Sequence, residues 1–218
     1  MKSMEGARRR AAAQDWGCPG VAAELTAALA RADRAVNGFL GSMALSGTPV
    51  RTACRRGCSA CCKQTVLVGE PEALHIRHFM ASLPRARQEE LRRRVRATAA
   101  ATETLSPDER RERQVPCAFL DADGGCAIYP ARPFNCRQLV AVDASACRDS
   151  ITRPQELQAR IVAGLASPPH VRNVSRLVAA EAWRFYQGLE RRGYAPQSSD
   201  VAAAVDRLFD AALDGDAP

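Results

Sequence analysis

Aromatic side chains are scarce, with six Phe, three Tyr and two Trp in 218 residues. A core short of rings has to be filled by Leu, Val, Ala and Cys, which suits helix packing better than sheet packing. Lysine is nearly absent: every Lys or Arg position except Lys2 and Lys63 is arginine, which reads as the compositional bias of a GC-rich genome. No run approaches the ~20 apolar residues that a membrane-spanning helix requires. After the basic start, Gln14, Asp15 and Glu24 interrupt any signal-peptide apolar stretch. These absences predict a cytoplasmic protein with no membrane partner. Thiols in the cytosol stay reduced and stable disulfides are rare there. Nine cysteines therefore need another use.

The formal net charge of +7 invites a nucleic-acid reading, because clustered arginines neutralise phosphates and release counterions. The distribution argues against it. Arg8, Arg9 and Arg10 fall in a tail, and the run from Arg85 to Arg96 shares its segment with Glu89 and Glu90, as a solvated helix face does. The length suits one domain with extensions. The expected division is a flexible basic tail over residues 1–17, a cysteine-cluster metal-binding domain over 18–150, and a helical C-terminal extension over 151–218 packing on that domain.

Apolar residues recur at helical spacing from Val21 to Leu40. Pro71 suits the first turn of a second helix that runs to Leu83 and stops at Pro84. An arginine-rich surface helix follows over 85–104, with a thin apolar stripe at Leu91, Val95 and Ala99. Ser106 and Pro107 open a charged linker to Val115. Three further amphipathic helices are expected over 154–165, 171–189 and 199–213. Residues 65–68 read as a short extended piece. The strongest strand signal is a β-hairpin, with arms at 117–120 and 126–129 closed by Asp121-Ala122-Asp123-Gly124-Gly125. The expected fold is mainly α: a helical domain with a small β-hairpin and a cysteine-rich metal-binding centre.

Four cysteines crowd into nine residues at Cys54, Cys58, Cys61 and Cys62. On a helix, positions 54, 58 and 61 would share one face. In a loop, Gly57 would permit the sharp turn that lets several sulfurs converge. Arg55, Arg56 and Lys63 would lower the thiol pKa values and offset thiolate charge. Free cysteine is also a good buried hydrophobe, but this density beside three cations is a poor core pattern. A second group, Cys117, Cys126 and Cys136, is dispersed. In a regular hairpin, Cys117 and Cys126 would sit roughly 10 Å apart at normal strand rise and serve different ions unless the hairpin bends. Cys18 and Cys147, taken singly, read as core or surface thiols. His75 and His78 could add nitrogen ligands from a helix, although their apolar neighbours suit ordinary packing, and His170 sits in a loop with no recognisable partner.

The segment Cys54-x3-Cys58-x2-Cys61-Cys62, then Cys117-Ala118-Phe119-Leu120, Gly125-Cys126-Ala127-Ile128-Tyr129-Pro130-Ala131-Arg132-Pro133 and Cys136-Arg137 resembles the YkgJ-type cysteine-cluster family, also called the CxxCxxCC zinc- or iron-chelating domain. The resemblance covers residues 54–137. It implies a metal-chelating domain, described variously as zinc-binding or iron–sulfur. A similar cluster in flagellin lysine N-methylase implies a redox or protein-modifying enzyme, or its accessory, with a protein as substrate or partner. The alternative is a non-enzymatic, zinc-stabilised module that binds protein or nucleic acid. The expected metal ligands are Cys54, Cys58, Cys61, Cys62, Cys117, Cys126 and Cys136. Seven thiols exceed the needs of one tetrahedral ion and suit a polynuclear cluster or two neighbouring sites. Within the motif, Tyr129 and Phe134 would pack over the site, Arg132 and Arg137 would bond backbone or offset charge, and Pro130 and Pro133 would fix the chain's path. The first three cysteines also match the spacing that holds a four-iron cluster in radical S-adenosylmethionine enzymes. That fold requires alternating strands and helices, which this chain does not suggest. No catalytic base or substrate is evident.

Overall fold

The computed structural model describes residues 19–47 and 49–210; Cys18, the tail expected over 1–17 and the end of the last expected helix lie outside them. The helices are α1 (Pro19–Leu45), α2 (Glu70–Ala81), α3 (Arg85–Thr102), α4 (Pro107–Glu112), α5 (Phe134–Arg137), α6 (Ala144–Thr152), α7 (Pro154–Val162), α8 (Arg172–Glu190) and α9 (Val201–Asp210). Strands β1 (Leu67–Gly69) and β2 (Ser198–Asp200) form an antiparallel pair, and short 3-10 turns occupy Ala60–Lys63 and Tyr129–Ala131. The fold is mainly α with one small antiparallel sheet. No helix among the described residues is long and apolar enough to cross a membrane.

Two apolar clusters flank the cysteines. In one, Ile76 and Met80 of α2, Leu91 and Val95 of α3, and Val201 and Val205 of α9 close around Phe119 and Ile128, with Cys117, Cys126 and Cys136 packed against them. In the other, Leu25, Leu29 and Ala32 of α1 meet Val178, Phe185 and Leu189 of α8 and enclose Phe134. Ion pairs reinforce the α1–α8 contact: Arg192 grips both carboxylate oxygens of Glu24 at 2.9 and 2.6 Å, and Arg31 reaches Glu181 at 2.9 Å. The arginines of α3 are largely matched to acids. Arg87 and Arg94 both reach Asp121, at 2.5 and 2.9 Å, which fastens the Cys117–Cys126 loop to that helix.

Several expectations change. The segment over 117–129 does not extend into a regular hairpin. The amide of Leu120 bonds back to the carbonyl of Cys117 at 3.1 Å, only the isolated bridge Leu120↔Cys126 forms, and Tyr129 N–H bonds the Cys126 carbonyl at 3.2 Å as the chain enters its 3-10 turn. Pro116, Pro130 and Pro133 bound the segment and have no N–H with which to lengthen a ladder. The sheet instead joins two distant pieces, Leu67 facing Asp200 and Gly69 facing Ser198. The expected linker after Ser106 contains α4, started by a capping box in which Ser106 N–H donates to Glu109 at 2.8 Å and Glu109 N–H donates to the Ser106 hydroxyl at 3.2 Å. Helix α6 was also not anticipated; Asp143 caps it by accepting from Ser145 N–H at 2.7 Å and Ala146 N–H at 3.2 Å.

Candidate metal centre

Of the two geometries open to the first cysteine group, the loop is found. Gly57 takes φ +88°, and the Cys58 amide bonds the Arg55 carbonyl at 2.9 Å. The chain then tightens into the 3-10 turn that carries Cys61 and Cys62. Cys54 is tied to the other side of the site: its sulfur accepts from Ala141 N–H at 3.2 Å, and Ala53 N–H bonds the Ala141 carbonyl at 2.7 Å.

The second group is docked onto the first by backbone contact. Cys117 N–H donates to the Cys62 carbonyl at 2.7 Å. Gly124, at φ +75°, lies so close to Gly57 that a Cβ on it would stand 2.7 Å from the Gly57 Cα. Arg56 clamps the same junction through Asp123, at 3.0 and 2.6 Å. Because Cys117 to Leu120 forms a turn, Cys117 and Cys126 reach one cavity and are not held a strand's length apart. Cys136 enters from α5. There Glu72 accepts the Phe134 amide at 2.9 Å, and buried Arg137 fixes the preceding loop through the carbonyls of Arg132 at 2.8 Å and Pro130 at 2.9 Å and through Asp33.

All seven expected cysteines line a cavity of about 360 Å³, together with Cys147, Phe119, Ile128, Tyr129, Arg132 and Val201. The sulfurs ring this space; among the described residues, no three Cys, His, Asp or Glu side chains already converge as a ligand set for one ion. Burial raises most of the thiols. It pushes Cys117 up to about 11 against a hydrogen bond from Phe119 N–H, and raises Cys126 against one from Ile128 N–H. Burial also raises Cys54 despite the Ala141 amide, and lifts Cys136 well above the ordinary thiol range with help from Cys117, Cys126 and Cys61. A hydrogen bond between neighbours splits the adjacent pair, drawing Cys61 down to about 7 and pushing Cys62 up. Backbone amides aimed at Cys54, Cys117 and Cys126 are the donors that a thiolate accepts.

Ionisation of one sulfur opposes ionisation of its neighbours. Cys54 feels Cys58 and Cys61, and Cys147 feels Cys61, Cys58 and Cys54. Cys62 feels Cys61, Cys117 and Cys126, while Cys136 feels Cys117, Cys126 and Cys61.

The cation that bears on most of the cluster is Arg132, while Arg110 acts on Cys117 and Arg148 on Cys147. Arg132 acts on Cys54, Cys61, Cys126 and Cys136, stacks 4.2 Å above the Tyr129 ring, and keeps a buried Nε without a partner. Arg56 is committed to Asp123 and Lys63 does not line the cavity. Tyr129 borders the opening, but Phe134 does not cover the site: it turns away into the α1–α8 core, 6.4 Å from the Phe185 ring. His75 and His78 lie outside the cavity wall. Sequence reasoning missed Cys147. Buried on the first turn of α6, it lines the same cavity, and burial pushes its thiol up to about 11. As a single cysteine beyond Cys136 it carried no spacing signal, and only the fold-back of residues 139–142 onto Cys54 brings it to the site.

No curated protein and no solved structure matches the chain. A family match covers residues 53–158 and leaves α1, α8 and α9 outside it. The family model that matches residues 53–158, the stretch that holds the eight cysteines lining the cavity, is CxxCxxCC, described as a "Putative zinc- or iron-chelating domain".

Proposed function

We propose that this chain chelates zinc or iron through Cys54, Cys58, Cys61, Cys62, Cys117, Cys126 and Cys136, and that the cavity takes more than one metal atom. The observation that carries this reading is the delivery of seven thiols to one cavity from three separated stretches of chain. A hydrophobic core gains little from buried thiols that repel one another once ionised, whereas soft sulfur donors are what zinc, copper(I) and iron–sulfur clusters select. Four sulfurs satisfy a tetrahedral ion, so seven call for a second metal atom or a cluster. Bound metal would neutralise the thiolates and hold together loops that otherwise have little regular structure; as an iron–sulfur cluster it would add one-electron redox chemistry.

Elemental analysis of protein purified without air tests this reading. Zinc or iron at more than one atom per chain is expected, and neither metal above background would overturn it. The visible spectrum of the same sample separates the finer readings. Absorption that bleaches on reduction marks an iron–sulfur centre and favours a redox or protein-modifying role. A colourless zinc protein favours a metal-stabilised binding module.

A further inference from the structure

A second, smaller hollow of about 180 Å³ lies between the Cys58–Lys63 turn and α6, and Cys58 belongs to its wall as well as to that of the cysteine cavity. Its charged lining is of one sign. Lys63 enters from the turn and Arg148 from α6, with no acid among the described residues that line it. Neither cation has an acid within ion-pair distance among the described residues. Asp143, which feels Arg148, is already spent on the start of α6, where it accepts from the Ser145 and Ala146 amides and the Ser145 hydroxyl. Two cations brought to one hollow without a counter-charge are stabilised by an anion between them. The neutral lining adds donors. Gln114 follows α4 at φ +53°, the one non-glycine residue with positive φ among the described residues. Its amide and that of Val115 close the end of the helix on the carbonyls of Arg111 at 3.1 Å and Arg110 at 3.2 Å, a position that glycine usually fills. The side chain that glycine would lack lines the hollow; one Nε2 hydrogen goes to the Arg111 carbonyl at 2.6 Å, and the second is uncommitted. The Ser59 side chain, in the same wall, makes no capping bond.

We propose that this hollow binds a phosphoryl group, as inorganic phosphate or at the end of a small ester, between Lys63 and Arg148, with Gln114 and Ser59 as neutral donors. A phosphoryl group carries about two negative charges at neutral pH, which matches the two cations, whereas a carboxylate carries one. Arginine supplies a planar fork for its oxygens and lysine a point charge. The hollow is smaller than the about 300–1,000 Å³ that encloses a drug-sized ligand, so it suits the charged group and not a large body behind it. None of these four residues lines the cysteine cavity, and the site goes beyond the chelation reading without depending on it.

Calorimetric titration of the full chain, purified without air, with inorganic phosphate is the test, with glycerol phosphate and acetate as comparison ligands. Saturable binding of one phosphate per chain is expected, weaker by about tenfold in Lys63→Gln and in Arg148→Gln. Arg93→Gln, which removes an exposed charge from α3, should leave it unchanged. Gln114→Gly separates binding from stability, because glycine suits the positive φ: the melting temperature should hold or rise while phosphate binding weakens. Glycerol phosphate bound more tightly than the free ion identifies an ester as the occupant, and the reverse order identifies inorganic phosphate; both support the site. It is overturned by a wild-type chain that shows no saturable phosphate binding, by acetate binding as tightly as phosphate, or by binding unchanged in either Lys63→Gln or Arg148→Gln. Equal weakening in Arg93→Gln would overturn it too, since the attraction would then be to net charge alone. Phosphate binding that survives Lys63→Gln and Arg148→Gln but disappears when metal is stripped would place the anion on the metal instead.

Discussion

At the residue scale, two glycines do as much to assemble the centre as the cysteines they separate. Gly57 and Gly124 both have positive φ, at +88° and +75°, and their backbones touch where the two cysteine loops meet. An alanine at 124 would meet the Gly57 carbonyl oxygen at 2.9 Å as well as its Cα. Backbone atoms cannot swing aside as a flexible side chain can, so the loops would part. The left-handed conformation alone costs a non-glycine residue about 1–2 kcal/mol. Gly124→Ala is therefore expected to lower both the melting temperature and the metal retained per chain, read by thermal unfolding and elemental analysis on one sample. A variant unchanged in both would show that the junction does not organise the site. Gly57 was legible in the sequence as a turn residue within the cysteine run. The contact with Gly124 was not, because it depends on the ion pair Arg56–Asp123 and on the Cys117–Cys62 backbone bond, neither of which has a local signal.

At the scale of elements, helices declared by an apolar period and by proline were readable: α1, α2, α3, α7 and α8 fall close to where spacing put them. Short helices lack that period. Nevertheless, α4 carried a legible start in Ser106 and Glu109, and α6 carried one in Asp143. The extended piece at 65–68 overlaps β1, but its pairing was beyond reach, since β1 and β2 are three residues each and far apart along the chain. Glu72 connects these pieces. Buried in α2, it accepts from Gly69 N–H at 3.2 Å, Phe134 N–H at 2.9 Å and the Tyr186 hydroxyl at 2.5 Å, and so links β1, the turn bearing Cys136, and α8. Its carboxyl is raised by burial despite those three donors. Glu72→Ala strands all three and should cost about 2–4 kcal/mol, read as a lower denaturant midpoint at an unchanged slope. A loss under half a kcal/mol would mean that water replaces the carboxylate.

At the scale of the whole molecule, the site lies between two cores built of apolar side chains. Leu25, Leu29, Val178 and Phe185 bury one core, and Ile76, Leu91, Val95 and Val205 the other. The cysteine loops between them have few ladder bonds of their own. Stripping the metal should therefore open residues 54–62 and 117–136 to protease while α1 and α8 stay protected. Uniform protection of the stripped protein would show that the loops are held by packing alone. The chain's positive charge has a structural use at this scale, since arginines of α3 anchor the Cys117–Cys126 loop through Asp121. The central claim is that the two cysteine groups, distant in sequence, serve one centre. The measurement that tests it most directly is the metal-to-chain ratio of Cys136→Ser beside wild type, with both purified without air. Loss of a large part of the metal is predicted, matched by a similar loss in Cys58→Ser. A full complement in Cys136→Ser would contradict the claim and confine chelation to Cys54, Cys58, Cys61 and Cys62.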